Sequence, residues 1–185
     1  MSKGNLFVIS GASGVGKSTV LEQVIRERKD LKFSVSAITR PPRPGEENGV
    51  NYFFMDRRQF RELIHRGEFL EYDAHMDNLY GTPRGQLEEK LRDYNVILDV
   101  EPNGAFAVRE ARPDATLIFV APPSMEELER RLRSRGDTEE AQIQLRLKRA
   151  IWEMSQRSKY DYIVVNDKAD ACAGEILHII AEKAD

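Results

Sequence analysis

Eight residues near the start of the chain, Gly11-Ala12-Ser13-Gly14-Val15-Gly16-Lys17-Ser18, constrain its fold more than any other stretch. They fill every fixed position of the pattern G-x-x-x-x-G-K-[ST]. A β-branched-rich apolar run, residues 5–10, precedes them, and a helix-like stretch, residues 17–29, follows. Strand, glycine loop and helix in that order are the context in which such a loop cradles phosphate. The glycines let successive backbone N–H groups wrap an anion without Cβ clashes. The N-terminus of the helix adds partial positive charge. Lys17 is expected to reach the β- and γ-phosphates of a nucleoside triphosphate, and the Ser18 hydroxyl to hold Mg²⁺. The expected triphosphate set therefore runs from Gly11 through Ser18 to Thr19 in the opening helical turn.

Three further apolar runs, residues 95–100, 115–121 and 161–165, have strand length. Helix-like stretches alternate with them. Residues 104–112 are stopped by Pro113, residues 124–135 carry Ser124 as N-cap with Glu127 as capping-box partner, and residues 138–158 and 169–183 complete the set. The alternation predicts a parallel sheet covered on both faces. The 185 residues, 41% hydrophobic and 32% charged, suffice for one domain with a buried core. No apolar run approaches the roughly 20 residues of a membrane helix. The first run has no small-residue cleavage site after it, so no signal peptide is expected. A single cysteine, Cys172, excludes an intrachain disulfide and a cysteine-cluster metal site. It is expected to pack in the last helix, and a reducing cytoplasm is the expected compartment.

With 28 basic against 31 acidic residues, the net charge of -3 carries no signature for nucleic acid, and no membrane partner is expected. Between residues 130 and 149, however, seven basic residues face three acidic ones, a local excess of +4. Such a patch in an acidic chain suits a small anion such as a phosphate group.

Residues 34–92 break the strand–helix rhythm. Residues 39–49 hold three prolines and two glycines and read as a loop. Residues 52–55 read as a short strand. Asp56 then caps a helix with Phe60, Leu63 and Ile64 on one face, ended by Gly67, and residues 69–72 read as another strand. The region is expected to be an insert of mixed structure on the α/β core. Arg40 and Arg43 lie in its proline-stiffened loop, where guanidinium groups can grip phosphate bidentately. Tyr52 and Tyr80 supply phenols for the same anion. Taken singly, the arginines read as surface charge and the tyrosines as packing; taken together beside the phosphate loop they read as a site. Asp99, at the end of the second apolar run, reads either as a holder of the metal's water shell or as a helix cap.

Several motifs in the insert and beyond it occur together. They are Phe33-Ser34-Val35-Ser36, Thr39-Arg40 with Pro42-Arg43-Pro44-Gly45-Glu46, Asn48-Gly49 then Tyr52-Phe53-Phe54, Glu68-Phe69-Leu70-Glu71 and Asn78-Leu79-Tyr80-Gly81-Thr82. Ala121-Pro122-Pro123-Ser124, residues 131–135 and Val164-Val165-Asn166-Asp167 follow in order. Together they resemble the guanylate kinase family over nearly the whole chain.

The resemblance implies a P-loop three-layer α/β/α fold with a five-stranded parallel core sheet (residues 1–33, 93–125 and 159–185), a mixed α+β GMP-binding insert (34–92) and a small helical lid (126–158). It implies transfer of a phosphoryl group from ATP to GMP, with Mg²⁺ as cofactor and dGMP as a further acceptor. By motif, Arg40, Arg43, Tyr52 and Tyr80 would hold the GMP phosphate. Ser36, Glu71 and Thr82 would read the guanine, with Asp99 and Glu101 nearby. Arg131, Arg135 and Arg146 would reach the triphosphate from the lid, and Asn166 and Asp167 would lie near the adenine. Lys17, Arg40 and the three lid arginines form the expected catalytic set, and Ser18 with Asp99 the expected metal set.

The base chemistry agrees with this. Guanine presents N1–H and an exocyclic NH₂ side by side, which suits one carboxylate, whereas adenine presents an unprotonated N1. Two departures from the family pattern stand out: Glu101 where aspartate is common and Asn103 where glutamine is common. A non-catalytic guanylate-kinase-like module that binds phosphopeptides is the alternative, and the intact Lys17 and Ser18 argue against it. A monomer and a homodimer are both compatible with the sequence.

Overall fold

The computed structural model describes residues 4–75, 77–134 and 139–184. Its main sheet has five strands: β1 (Leu6–Gly11), β2 (Leu31–Phe33), β7 (Asn95–Asp99), β8 (Thr116–Ala121) and β9 (Tyr162–Val165). All pair in parallel, in the order β2-β7-β1-β8-β9. Parallel neighbours need crossovers, and the helices α1 (Lys17–Glu27), α4 (Pro102–Ala111), α5 (Met125–Ser134), α6 (Glu140–Ser155) and α7 (Ala169–Ala184) lie between strands or after the last one.

The central strand shows why this is a three-layer fold. Phe7 and Ile9 point into one apolar cluster with Val20 of α1, Leu128 of α5, Ile143 of α6 and Ile176 of α7. Leu6 and Val8 point into a second cluster with Val108 of α4 and Leu87. Successive side chains of a strand face opposite ways, so a strand buried on both faces reads as one continuous apolar run. The carboxyl end of β1 lies where the strand order reverses, the place where an open parallel sheet leaves a crevice.

A second sheet of four strands holds β3 (Ser36–Ile38), β4 (Tyr52–Phe54), β5 (Phe69–His75) and β6 (Asn78–Pro83) in the order β4-β3-β6-β5. It is mixed: β3 pairs parallel with β4 and antiparallel with β6, which pairs antiparallel with β5. Helix α2 (Arg57–His65) seals one face, with Phe60 stacked on Phe69 at 4.4 Å between ring centroids. Asp56 caps this helix as expected, and its partner in a reciprocal capping box is Gln59. Gly67 turns the chain out of the helix at φ 68°, a conformation that favours glycine. A short helix, α3 (Arg84–Lys90), leads back to β7.

Strands β2, β3 and β6 and helix α3 fall outside the apolar runs and periodic stretches. The first two have only three residues each, and β6 is interrupted by Gly81 and Pro83. Helix α4 starts two residues earlier than its apolar period, because Pro102 fits the first helical turn. At α5, the Glu127 backbone N–H donates to Ser124 Oγ at 3.1 Å, as a cap should. The Glu127 carboxylate, expected to complete the box, holds Arg130 and Arg131. Cys172 is buried in α7, as expected. Among the described residues, no helix is long and apolar enough to cross a membrane.

Candidate active site

The glycine loop between β1 and α1 wraps as its sequence predicts. Gly14 and Gly16 take φ of 87° and 91°, in the left-handed region where a Cβ is strained. At Gly14 a Cβ would also meet Leu132 Cδ2 at 2.5 Å, so the loop lies directly against α5. Residues Gly11 to Thr19 line a cavity of about 630 Å³, closed on the far side by Gln142, Leu145, Arg146, Arg149 and Glu153 of α6. Arg146 directs its Nε toward Ser13 Oγ at 3.4 Å.

A second cavity, of about 340 Å³, lies between the two sheets. Ser36, Tyr52, Glu71, Asp73, Tyr80 and Gly81 come from the four-stranded sheet, and Asp99, Val100, Glu101 and Gly104 from the end of β7 and the start of α4. Lys17, Ser18, Val100 and Glu101 line both cavities, so the two meet at the phosphate loop. There Lys17 Nζ is paired with the Asp99 carboxylate.

Glu71 is buried in β5, opposite Thr82 of β6. Burial pushes its carboxyl pKa up, against the opposing effect of the Thr82 hydroxyl and backbone N–H, both of which donate to it. The hydroxyl contact is 2.6 Å, to Oε1. The other oxygen, Oε2, has room because Gly104 has no side chain; a Cβ there would stand 3.0 Å from it. Thr82 itself is fully buried and is not among the cavity-lining residues. Its hydroxyl is turned to Glu71, so of the two hydroxyls expected on a base only that of Ser36 lines the cavity.

Arg40 grips Glu46 with two hydrogen bonds, 2.6 and 2.7 Å, and its guanidinium lies 5.2 Å from the Tyr52 ring centroid. Glu46 is held down to about 2 by Arg40 and by the Arg43 backbone N–H. Tyr52 has its phenol pKa raised, mainly by burial and then by the Asp99 charge. Arg43 is exposed in the same loop.

The lid arginines divide. Arg146 lines the cavity and points at the loop. Arg131 does not line the cavity; it donates to the Asn166 and Asp167 carbonyls at 2.7 and 3.0 Å and to Glu127. Arg135 lies outside the described residues. Much of the expected basic patch is paired: Arg130 with Glu127, Arg133 with Glu129 and Glu140, Arg149 with Glu101 and Glu153. These carboxylates lie mostly outside the counted window, which is why the sequence overstates the free charge. Asn166 is buried, and its Nδ2 donates to the Val15 carbonyl at 2.8 Å, so it braces the phosphate loop from below. Asp167 is exposed next to it.

The residues matching the family model run from 3 to 183, and the model is that of guanylate kinase. The chain belongs to the guanylate kinase family. It is 48% identical to a guanylate kinase of Thermus thermophilus over 96% of this chain and 81% of that one. With the guanylate kinase of Synechococcus sp. (strain JA-3-3Ab) it shares 47% identity over 95% and 81%. The crystal structure of guanylate kinase from Anaplasma phagocytophilum superposes with a TM-score of 0.80 at 34% identity, covering 99% of this chain and 87% of that one.

Arg149 and Glu153 escape the motif-based reading of a guanylate kinase family member. Their signal is a carboxylate on the apolar side of a helix: Glu153 stands three residues after Ala150, on the face that Ile143 and Ala150 bury. Burial pushes Glu153 up to about 7; the Ser13 N–H opposes this and the nearby Glu101 adds to it. For Glu101 burial also raises the pKa, but hydrogen bonds to Arg149 and Glu153 outweigh it and the net shift is downward.

The Glu153 shift has a consequence for stability. The unfolded chain releases this proton at an ordinary glutamate pKa, 4.5, and the folded chain only near 7. Between those values the folded state binds more protons, so the Glu153 contribution to stability is lost as pH rises through that window. The groups facing Glu153 are Glu101, Arg149, the Ser13 N–H and, by charge, Tyr160. E153Q keeps a neutral side chain at every pH. Urea unfolding of both proteins from pH 4.5 to 8 is expected to show the wild type losing stability faster than E153Q; parallel curves would mean that Glu153 is ionised throughout.

Proposed function

We propose that this chain transfers the γ-phosphoryl group of ATP to GMP, giving ADP and GDP, with the triphosphate on the glycine loop and GMP in the cavity between the sheets. One observation carries the reading: the two cavities share Lys17 and Ser18, so a donor phosphate and an acceptor phosphate would meet at one lysine. Phosphoryl transfer needs positioning and charge neutralisation more than a dedicated base. Lys17 would exchange Asp99 for the donor phosphates. Arg146 approaches the loop from α6. Arg40, beside Tyr52 and Tyr80, would exchange Glu46 for the acceptor phosphate, with Arg43 alongside. Arg131 and Arg135 would join from the lid when the helices close over the substrates.

The Ser18 hydroxyl and the Asp99 carboxylate are hard oxygen donors lining one cavity, and they fit Mg²⁺. They would hold the ion, which when bound neutralises charge on the β- and γ-phosphates. Glu71 and Ser36 supply an acceptor pair and a donor to a base in the inner cavity, a pattern that matches guanine, and Glu101 stands on the same wall. Asn166, which braces the loop, and Asp167 beside it would border the adenine side. In this reading residues 34–92 form the GMP-binding insert, residues 126–158 the lid and the remainder the core, in a cytoplasmic enzyme of purine nucleotide metabolism.

The test is a panel of nucleoside monophosphates with ATP and Mg²⁺, read as ADP release. GMP is expected to be the preferred acceptor, dGMP a second one, and AMP poorer by at least about a hundredfold. Equal rates with AMP and GMP, or no release with GMP, would refute the assignment.

A further inference from the structure

Glu153 is 2% exposed, and its partners belong to the site. Oε2 accepts the Ser13 backbone N–H at 2.6 Å, and Oε1 accepts Arg149 Nε at 3.1 Å. Arg149 Nη2 donates onward to Glu101 Oε2 at 2.7 Å. A buried carboxyl costs free energy unless hydrogen bonds satisfy it, and truncating one partner leaves the others exposed to that cost. Ser13 is the residue before the left-handed turn at Gly14, so the direction of its N–H fixes the peptide plane from which the anion-binding turn begins. Arg146, Arg149 and Glu153 lie three and four residues apart on one face of α6, and that face contacts Ser13 at both its N–H and its hydroxyl. At the far end of the chain of contacts, Glu101 lines both cavities.

We propose that Glu153, oriented by Arg149, is a positioning residue for phosphoryl transfer: its carboxyl group holds the Ser13 turn of the phosphate loop and ties that turn to Glu101 on the acceptor wall. This rests on the reading of the loop as the triphosphate site. It also gives the length of the Glu101 side chain a structural reason. The longer side chain reaches Arg149, and the arginine turns Glu153 toward the loop. Helix α6 thereby sets the loop that its own Arg146 approaches.

Two variants test this. At pH 8, above the raised Glu153 value, E153Q retains a carbonyl oxygen for the Ser13 N–H but presents no charge to Arg149. R149M keeps the aliphatic stem and removes the guanidinium that bridges Glu153 and Glu101, leaving only the direct contact between the two carboxyl groups. Both are expected to weaken the Kd for ATP with Mg²⁺, measured without acceptor, by about tenfold, while the KM for GMP changes less than about twofold in E153Q. In ¹⁵N-labelled protein, the Ser13 amide resonance of both variants is expected to shift upfield, since its hydrogen bond to the carboxyl group weakens. E153D, one methylene too short to reach Ser13, is expected to behave no better than E153Q. If E153Q fails to fold, R149M decides alone, because its guanidinium is partly exposed. An unchanged Kd for ATP, or an unmoved Ser13 amide, in a folded variant overturns the proposal. Failure of the GMP assignment would appear separately, as absent ADP release from the wild type with GMP, and would leave the ATP titration readable.

Discussion

Replacing Lys17 with alanine is expected to lower kcat for phosphoryl transfer by about 10²- to 10³-fold and leave the fold intact. The lysine stands at the junction of the two cavities, in the opening turn of α1, where helix dipole and loop N–H groups already favour anions. Its charge would be most useful where negative charge spreads over the transferring group and onto the leaving oxygen, so its loss falls on the transition state. Its ionic partner among the described residues, Asp99, is 40% exposed in its side chain, and an ion pair at such a site is worth about 1 kcal/mol or less. The midpoint of urea unfolding should therefore move little. Steady-state kinetics with matched circular dichroism checks both halves. A folded K17A with near-normal kcat would remove Lys17 from the catalytic set; loss of the fold would mean that the Asp99 pair matters structurally. K17R separates charge from shape, since a planar guanidinium cannot follow the ammonium into a loop shaped around a compact donor.

What the sequence reveals of this molecule depends on how local each determinant is. The phosphate loop is legible because its chemistry is contiguous: eight residues, two left-handed glycines and a helix start lie within one turn of chain. β1, β7 and β8 are legible because burial on both faces makes continuous apolar runs, as Leu6 to Ile9 show, while the edge strand β9 reads as an apolar run although Ile163 and Val165 are exposed. β2 and β3 leave no such run, being three residues long, and they owe their place to β7 and β6. The site splits the same way. Glu71 and Tyr52 are found by motif, and the structure brings them to one cavity. Thr82 and Asn166 are found too, but their side-chain hydrogen bonds are already made, to Glu71 and to Val15, so they act on the site through other groups. The pairing of Arg149 with Glu101 and of Glu153 with Ser13 spans 48 and 140 residues. No window read along the chain can hold such contacts, and the local count of charge between residues 130 and 149 misses the carboxylates that neutralise it.

Specificity for guanine should reside in Glu71, and E71Q is expected to change the GMP-to-AMP ratio more than any other single substitution. The geometry decides which way the new amide points. The Thr82 hydroxyl and backbone N–H both donate to Glu71. The glutamine carbonyl must keep the Thr82 backbone N–H, which can only donate and would be left unpaired facing an NH₂, whereas the hydroxyl can turn to donate or accept. The NH₂ therefore takes the position of Oε2, in the space left open by Gly104. From there it meets guanine's N1–H and exocyclic NH₂ donor to donor. One buried charge-assisted contact becomes a repulsive one, at a cost of about 2–4 kcal/mol, or about 30- to 1000-fold in kcat/KM for GMP. Adenine presents an acceptor at N1, so the same NH₂ can donate to it, and AMP should lose less or gain. Stability gives an independent control. Burial already disfavours the Glu71 carboxylate, and a neutral glutamine in the same hydrogen bonds should leave unfolding unchanged or shift it to higher urea. Parallel kcat/KM measurements with GMP and AMP settle the matter. Equal losses for the two acceptors would show that Glu71 supports the sheet or the phosphate end of the cavity and does not read the base; a selective loss with GMP, in a protein as stable as the wild type, would place base recognition on this one carboxylate.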